Sequence, residues 1–556
     1  MDEHQNTKID QSSLWIFPRV NRPVFIGSAI LILGFIFFGA IFTETASSVF
    51  TGLQNFLATN FGWFLVIEVN LLLIFVIFVA LGPFGDIRLG RMDEDPEYPL
   101  ISWTAMLFSA GIGIGLIYWG VAEPMFHFFS PPMGEAETLA SARQAMSLSF
   151  MHWGFHAWAI YAVIALALAY FHYRQGLPLT IRSSLYPLLG ERIYGRWGDF
   201  VDVVAVFGTM FGIVTSLGLG AIQVNTGLSR VFGLPESSLM QVIIIALITG
   251  AATMSVLAGL DGGIKRLSNI NIGLSFVFLT FMVIVGPTLF IFDSFVENYG
   301  NYVASLADLG TWTEGWSGGT WQNSWTIFYW AWWVSWAPFV GVFIARISRG
   351  RTIREFLMGI MLIPCSIMFF WFTAFGGTAI KLSLDGETAL VEATRDNYAQ
   401  TMFELLSYFP FSSVMSIFAI ILIIMWFVTS SDSGSFVIDM LTAGGDPDPP
   451  KIQRVFWAIS EGAVACVLLI MGGLDALQAA AVIAGFPFAV VILAIALGLW
   501  RALRWDELMV HRHRQRFRND VEADHNMPNA PHSAALDTVD SEIVSPSPGG
   551  EPSPAE

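Results

Sequence analysis

Twelve apolar runs of membrane-spanning length recur along this chain, and they leave few folds open to it. They cover residues 23–43, 62–83, 101–122, 145–171, 200–224, 239–260, 270–292, 324–345, 356–378, 411–440, 454–472 and 476–500. A helix needs about 20 apolar residues to cross the hydrocarbon core. In lipid the backbone must satisfy its own hydrogen bonds, so runs this long predict helices. Only 13% of the residues are charged, against about 25% in a typical soluble protein. The net charge of −17 argues against nucleic acid as a partner. Cys365 and Cys466 both lie in apolar runs and read as space-fillers rather than a disulfide.

The basic residues test the count, because cytoplasmic loops collect Lys and Arg. With the N-terminus inside, the cytoplasmic segments hold 23 of the 27 basic residues, leaving only Arg143, Arg230, Lys381 and Arg395 outside. Both termini are therefore expected in the cytoplasm. Residues 1–22 read as a polar N-terminal tail with no basic n-region or cleavage site, so the first span is expected to be retained. Residues 23–500 read as the membrane domain and 501–518 as a basic juxtamembrane segment. Residues 519–556 are rich in Pro, Ser, Ala and acid, a composition that predicts disorder. The linker 177–198 carries an apolar patch from Ile181 to Ile193, expected to lie on the membrane face. Residues 293–323 and 379–410 read as long outer loops.

Span three contains Ser109-Ala110-Gly111-Ile112-Gly113-Ile114-Gly115, followed by Glu123-Pro124. Alternating glycines weaken a spanning helix and expose carbonyls, which lipid tolerates only where the backbone lines a cavity or packs closely on another helix. Discontinuous spans of this kind are where secondary transporters bind substrate and ions. Span eight has the sharpest pattern: Trp330, Trp333 and Trp336 recur every three residues along one slowly drifting face, midway through the membrane. Trp at an interface would be ordinary; Trp at this depth is not. Span four adds Trp153, Trp158 and Tyr161 over an arc of about 140°. A quaternary ammonium has no hydrogen-bond donor, so ring faces must replace its water, at about 2 kcal/mol or more per desolvated ring. The competing reading is that these rings merely fill the bundle. Span ten offers Thr429 and Ser430, and span five Thr209, Thr215 and Ser216, as oxygen ligands for a small hard cation. The alternative for each hydroxyl is a bond back to its own helix.

These residues together resemble the betaine/choline/carnitine transporter family. The resemblance runs from about residue 15 to 505 and rests on AGIGIGL at 110–116, HWGFHAWAIY at 152–161 and WAWWVSWAPF running into ARISRGRTIREF at 330–356. It implies an all-α membrane protein of twelve transmembrane helices: two N-terminal helices, then a LeuT-like inverted repeat of five-helix units, spans 3–7 and 8–12. A homotrimer is the implied assembly. The implied function is sodium-coupled symport of a compatible solute, glycine betaine first, for osmoprotection. By resemblance Trp153, Trp158, Tyr161 and Trp333 form the central box, with Trp332 and Trp336 on its flanks, and Gly111, Gly113 and Ser216 count among the substrate-facing positions. Phe328 and Phe343 look like gates. Ser109 and Ile112 would offer carbonyls, and Thr429 and Ser430 hydroxyls, to one Na+. Thr209 with Phe339 matches a second ion site, but the second Thr some relatives carry one turn later is Ile213 here, which leaves the number of ions open. Gly115, where proton-coupled choline carriers tend to have Asp, and the absence of any basic residue between 197 and 229 both favour sodium.

Other readings remain. Ectoine, dimethylsulfoniopropionate, choline and carnitine would suit the same rings, with sodium or proton coupling. A channel would need a continuous polar pore, which bulky rings at mid-depth oppose. The sequence shows no paired catalytic carboxylates, metal-ligand cluster or nucleophile elbow, so no enzyme is expected. Glu68, Glu123, Asp432 and Glu461 lie in or beside apolar runs and are functional candidates by position. His152 and His156 read as hydrogen-bonded packing residues. The cluster from Arg512 to Arg518 predicts contact with anionic lipid; the simple reading is orientation of the last span, and osmotic regulation is the sharper one.

Overall fold

The structure is a computed structural model that describes residues 9, 11–111, 113–258 and 264–525, with the backbone alone at 105, 108–111, 256, 258, 264–268 and 509–525. Ile112, the expected carbonyl ligand, and residues 526–556 of the acidic tail lie outside the described residues. The side chains of the Arg512 to Arg518 cluster do too.

A short hairpin precedes the first long helix: β1 (Ser12–Leu14) pairs antiparallel with β2 (Phe17–Val20). It is tied to the bundle by Arg19, which pairs with Asp446 at 3.0 Å. The longer helices follow as α1 (Arg22–Ile41), α2 (Thr43–Leu81), α3 (Leu100–Gly111), α4 (Ile114–Phe129), α5 (Leu139–Trp153), α6 (Phe155–Ala169), α7 (Arg196–Phe232), α8 (Ser238–Ala258), α9 (Ile264–Val285), α10 (Thr288–Thr311), α11 (Thr326–Arg346), α12 (Ile353–Phe372), α13 (Ser412–Thr442), α14 (Lys451–Gly472) and α15 (Leu474–His525). Their starts follow local chemistry. Asn21 caps α1 by accepting from the Val24 N–H, with Pro23 in the first turn, and Thr352 caps α12 through the Glu355 N–H.

Among the described residues, ten helical stretches are long and apolar enough to cross a membrane, and a bent pair makes an eleventh. The difference from twelve falls at residues 101–122. That span is divided at 112–113 into α3 and α4, of 12 and 16 residues, each too short to cross alone. The bent pair turns by 110° between Val285 and Thr288. Gly286 and Pro287 lie in the bend, and a proline there cannot continue the ladder of the preceding helix. So 293–311 is helical rather than an outer loop. Residues 379–410 likewise contain three short helices, Thr378–Leu384, Ala389–Asp396 and Thr401–Ser407.

The core sits where α6, α7, α11, α13 and α15 meet: α11 packs on α6, α7 and α15, while α7 packs on α13 and α15. The linker before α7 is tucked into the protein rather than spread on lipid, since Ile181 and Ile193 are fully buried. Arg182 fixes it there, with Asp202 at 2.5 Å and Asp199 at 2.9 Å. Burial works against the Arg182 charge, but the two carboxylates outweigh it and raise the guanidinium pKa.

Candidate functional site

Three local features build the site. The first separates α3 from α4, where Gly113 is extended at φ −138° and ψ −156°. Such a break leaves carbonyls without intrahelical partners. The second is Gly154, between α5 and α6, at φ −102° and ψ −135°. A Cβ there would lie 2.6 Å from the Phe369 ring, so only glycine lets the chain turn so close to α12. The third is a contact: the Gly212 carbonyl of α7 accepts the indole N–H of both Trp332 and Trp336, at 3.2 and 2.6 Å. Those two residues are one turn apart, so a single carbonyl orients both rings.

The result is a narrow cavity of about 20 Å³ deep in the bundle. Gly113 and Gly115 line one side, Trp153 and Tyr161 another, Trp332, Trp333 and Trp336 a third, and Ser216 closes it. The Trp333 ring lies 5.1 Å from that of Tyr161 and 5.5 Å from that of Trp153, centroid to centroid. Gly115 makes room for the rings: a Cβ there would lie 2.7 Å from Trp332 and 2.9 Å from Trp153. Trp333 and Trp158 have no hydrogen-bond partner for their indole nitrogens among the described residues. An enclosure of this kind, walled by π-faces with one hydroxyl, suits a compact cation whose own surface offers no donor.

Not every expected residue reaches the cavity. Trp158 stands behind it, edge-on to Tyr161 at 5.7 Å. Gly111 ends α3, described by its backbone alone. Phe328 is buried and stacks on Trp332 at 5.4 Å with 14° between the planes, while Phe343 is half-buried in the same helix.

The expected ion ligands divide. The Ser430 hydroxyl lies at the α3–α4 break, 3.6 Å from where a Gly113 Cβ would be. Thr429 is instead engaged twice, accepting from Asn271 at 2.8 Å and donating to the Met425 carbonyl at 2.8 Å. Thr209 is fully buried, and its hydroxyl has no partner among the described residues. A small hard cation fits such an orphaned oxygen. Thr215 bonds back to Phe211 and across to Leu477, as a packing hydroxyl does.

A second polar centre lies behind the cavity, and here the sequence reading missed a role. Glu123 is fully buried on α4. Its Oε2 accepts the Trp153 indole N–H at 2.7 Å and the Tyr329 hydroxyl at 2.5 Å. Its Oε1 faces His152 Nδ1 at 2.6 Å and His127 Nε2 at 3.5 Å. Although the sequence shows no metal-ligand spacing, Glu123, His127 and His152 bring potential ligand atoms within 4.8 Å of one another. The carboxylate oxygens are already engaged, so the arrangement reads as a hydrogen-bonded centre. One signal was available: Glu123 follows the glycine run on the same span, and His152 adjoins Trp153. His156 contacts Asn70 at 3.2 Å, in keeping with a packing role.

Residues 23–508 match the betaine/carnitine/choline family transporter profile. The chain is 43% identical over 491 residues to a glycine betaine transporter of Acinetobacter baylyi, covering 88% of this chain and 74% of that one. It is 44% identical over 471 residues to the glycine betaine transporter OpuD of Bacillus subtilis, covering 84% and 91%. A glycine betaine/proline/choline transporter of Vibrio parahaemolyticus is 43% identical over 502 residues, covering 87% of this chain and 90% of that protein.

Proposed function

Because this chain belongs to the betaine/carnitine/choline transporter family, we propose that it imports glycine betaine together with Na+ by alternating access, for osmoprotection. The observation that carries the reading is the ring-walled cavity, with Trp153 and Tyr161 facing Trp332, Trp333 and Trp336. The trimethylammonium head would sit against these faces, with the carboxylate end toward Gly113, where no side chain intervenes. Ser216 is the hydroxyl placed to accept or donate there.

Coupling follows from where the ion oxygens lie. Ser430 on α13 meets the α3–α4 break, and the same break lines the cavity. Thr209 and Phe339 offer a second position. Sodium, as co-substrate, would supply the positive charge that draws those carbonyls and hydroxyls together. Each ligand then favours the conformation the other needs, and the coupling is reciprocal. Phe328 and Phe343 flank the cavity as ring gates. The twelve-span LeuT-like repeat, the trimer, and cytoplasmic termini in a bacterial inner membrane belong to the same proposal.

The test is uptake into proteoliposomes. An inward Na+ gradient is expected to drive labelled betaine uptake, and a K+ gradient is not. Uptake driven equally by a proton gradient alone would overturn the coupling. A wider substrate range is the second reading, favoured by the likeness to the glycine betaine/proline/choline transporter of Vibrio parahaemolyticus, so choline, carnitine and ectoine belong in the same assay.

A further inference from the structure

The ring-walled cavity has an anion behind it. Glu123 contacts three groups from two other helices: His152 and Trp153 of α5, and Tyr329 of α11. An indole N–H can only donate, so the Oε2 that receives it must be an acceptor. That oxygen also takes the Tyr329 hydroxyl. On the other side, His152 Nε2 lies 3.1 Å from the Thr326 hydroxyl. If Thr326 donates to Nε2, then Nδ1–H donates to Glu123 Oε1, His152 is neutral and Glu123 keeps its charge. With that assignment the polar atoms of Glu123, Trp153, Tyr329 and His152 all have partners. Among the described residues no Lys or Arg pairs with Glu123; its charged or titratable neighbours within 4 Å are His127 on α4, His152 on α5 and Tyr329 on α11. A buried carboxylate without a fixed counter-cation is costly, and here it is joined by one hydrogen bond to a ring that lines the cavity.

We propose that Glu123 is the counter-charge of the cage: an ionised positioning residue that fixes Trp153 and Tyr329 and gives the cavity its preference for a positively charged head group. The inference rests on the reading of the cavity as the substrate cage and deepens it. Charge reaches the solute in two ways. The direct field of the carboxylate is little screened in a dry interior. The indole that donates to it is also polarised, which makes its face more negative toward the cavity. Aromatic faces already favour a cation over its uncharged isostere, and the carboxylate adds to that discrimination.

The pair of probes that isolates this is glycine betaine and 3,3-dimethylbutanoate, which has carbon in place of the quaternary nitrogen and so lacks only the positive charge. Binding of each to the purified full chain in nanodiscs is followed by tryptophan fluorescence. Glu123→Gln keeps the shape, and its amide can still bond to both sides once His152 changes tautomer. The expected result is that this variant lowers the preference for betaine over dimethylbutanoate about tenfold. A purely structural role would weaken both probes alike and leave the ratio unchanged, which would overturn the inference. If Glu123→Gln does not yield folded protein, Trp153→Phe keeps a ring and breaks the link to the carboxylate. It is expected to lower the ratio about threefold, and an unchanged ratio there overturns the inference too. The two readings fail differently. A wild-type protein that binds no betaine contradicts the cage itself. A wild type that prefers betaine, with variants that keep the preference, contradicts only the role of Glu123.

Discussion

Glu123 and Glu461 are both fully buried carboxylates in one helical bundle, and their surroundings are opposites. Glu123 has both oxygens engaged, by Trp153, Tyr329 and His152. Glu461 accepts one bond, from Ser431 at 2.9 Å, and its other oxygen has no partner among the described residues. Nearby on the same helix as Ser431, Asp432 takes a hydroxyl from Ser255 at 2.6 Å. A fully bonded buried charge locks the groups around it, whereas a half-bonded one contributes little to holding its neighbours. The α4–α5–α11 side of the molecule is therefore the rigid wall that shapes the cavity. The α13–α14 contact is held more loosely at Glu461, although Gln453, Arg454 and Trp457 tie the same two helices nearer their other end.

That contrast is open to attack from both ends. The largest effect is expected from Glu123→Leu, which strands the Trp153, Tyr329 and His152 polar groups together. It should cost about 3 kcal/mol or more and sharply lower the melting temperature in detergent. A melting curve that matches wild type would break the comparison. Trp333→Leu removes a cage face and should raise the half-saturation concentration for betaine uptake about 30-fold, with little change in melting. Gly115→Ala drives a methyl toward Trp332 and Trp153. It should cost about 1–2 kcal/mol in betaine affinity, seen as a several-fold higher dissociation constant. Trp336→Phe removes one of two donors to the Gly212 carbonyl and should cost about 1 kcal/mol in the same titration. The smallest effect belongs to Glu461→Gln, expected within about 1 kcal/mol of wild type by melting, because only the Ser431 bond is at stake. A loss as large as that of Glu123→Leu would show that both sides are equally locked.

How much of this was legible in the sequence depends on the range of each interaction. The tryptophans at 330, 333 and 336 and the glycines at 111, 113 and 115 were visible because helix periodicity and backbone freedom are local properties. Of that periodic row Trp333 and Trp336 line the cavity, whereas Trp330 packs beside His152 and His156, and Trp332 came from the family resemblance rather than the spacing. Trp158 was placed one layer out, since an arc estimated from a single helix does not fix which edge faces inward. The helical turn-back after Pro287 was readable from Gly286-Pro287 but was masked by the polar composition of 293–311. Glu123 was singled out by position alone. Its partners come from residues 29, 30 and 206 places away, and convergence over such separations is set by tertiary packing rather than by pattern. Thr429 shows the same limit: its neighbour Asn271 lies 158 residues away.

The central claim is that ring faces from α5, α6 and α11 hold the charged head of the solute. The most direct measurement is a cryo-EM map of the protein with betaine bound in nanodiscs. The account predicts density for the trimethylammonium group between Trp153, Tyr161 and Trp333, within contact distance of the indole faces. Density at any other place in the bundle, with this cavity still filled by its own side chains, would contradict it.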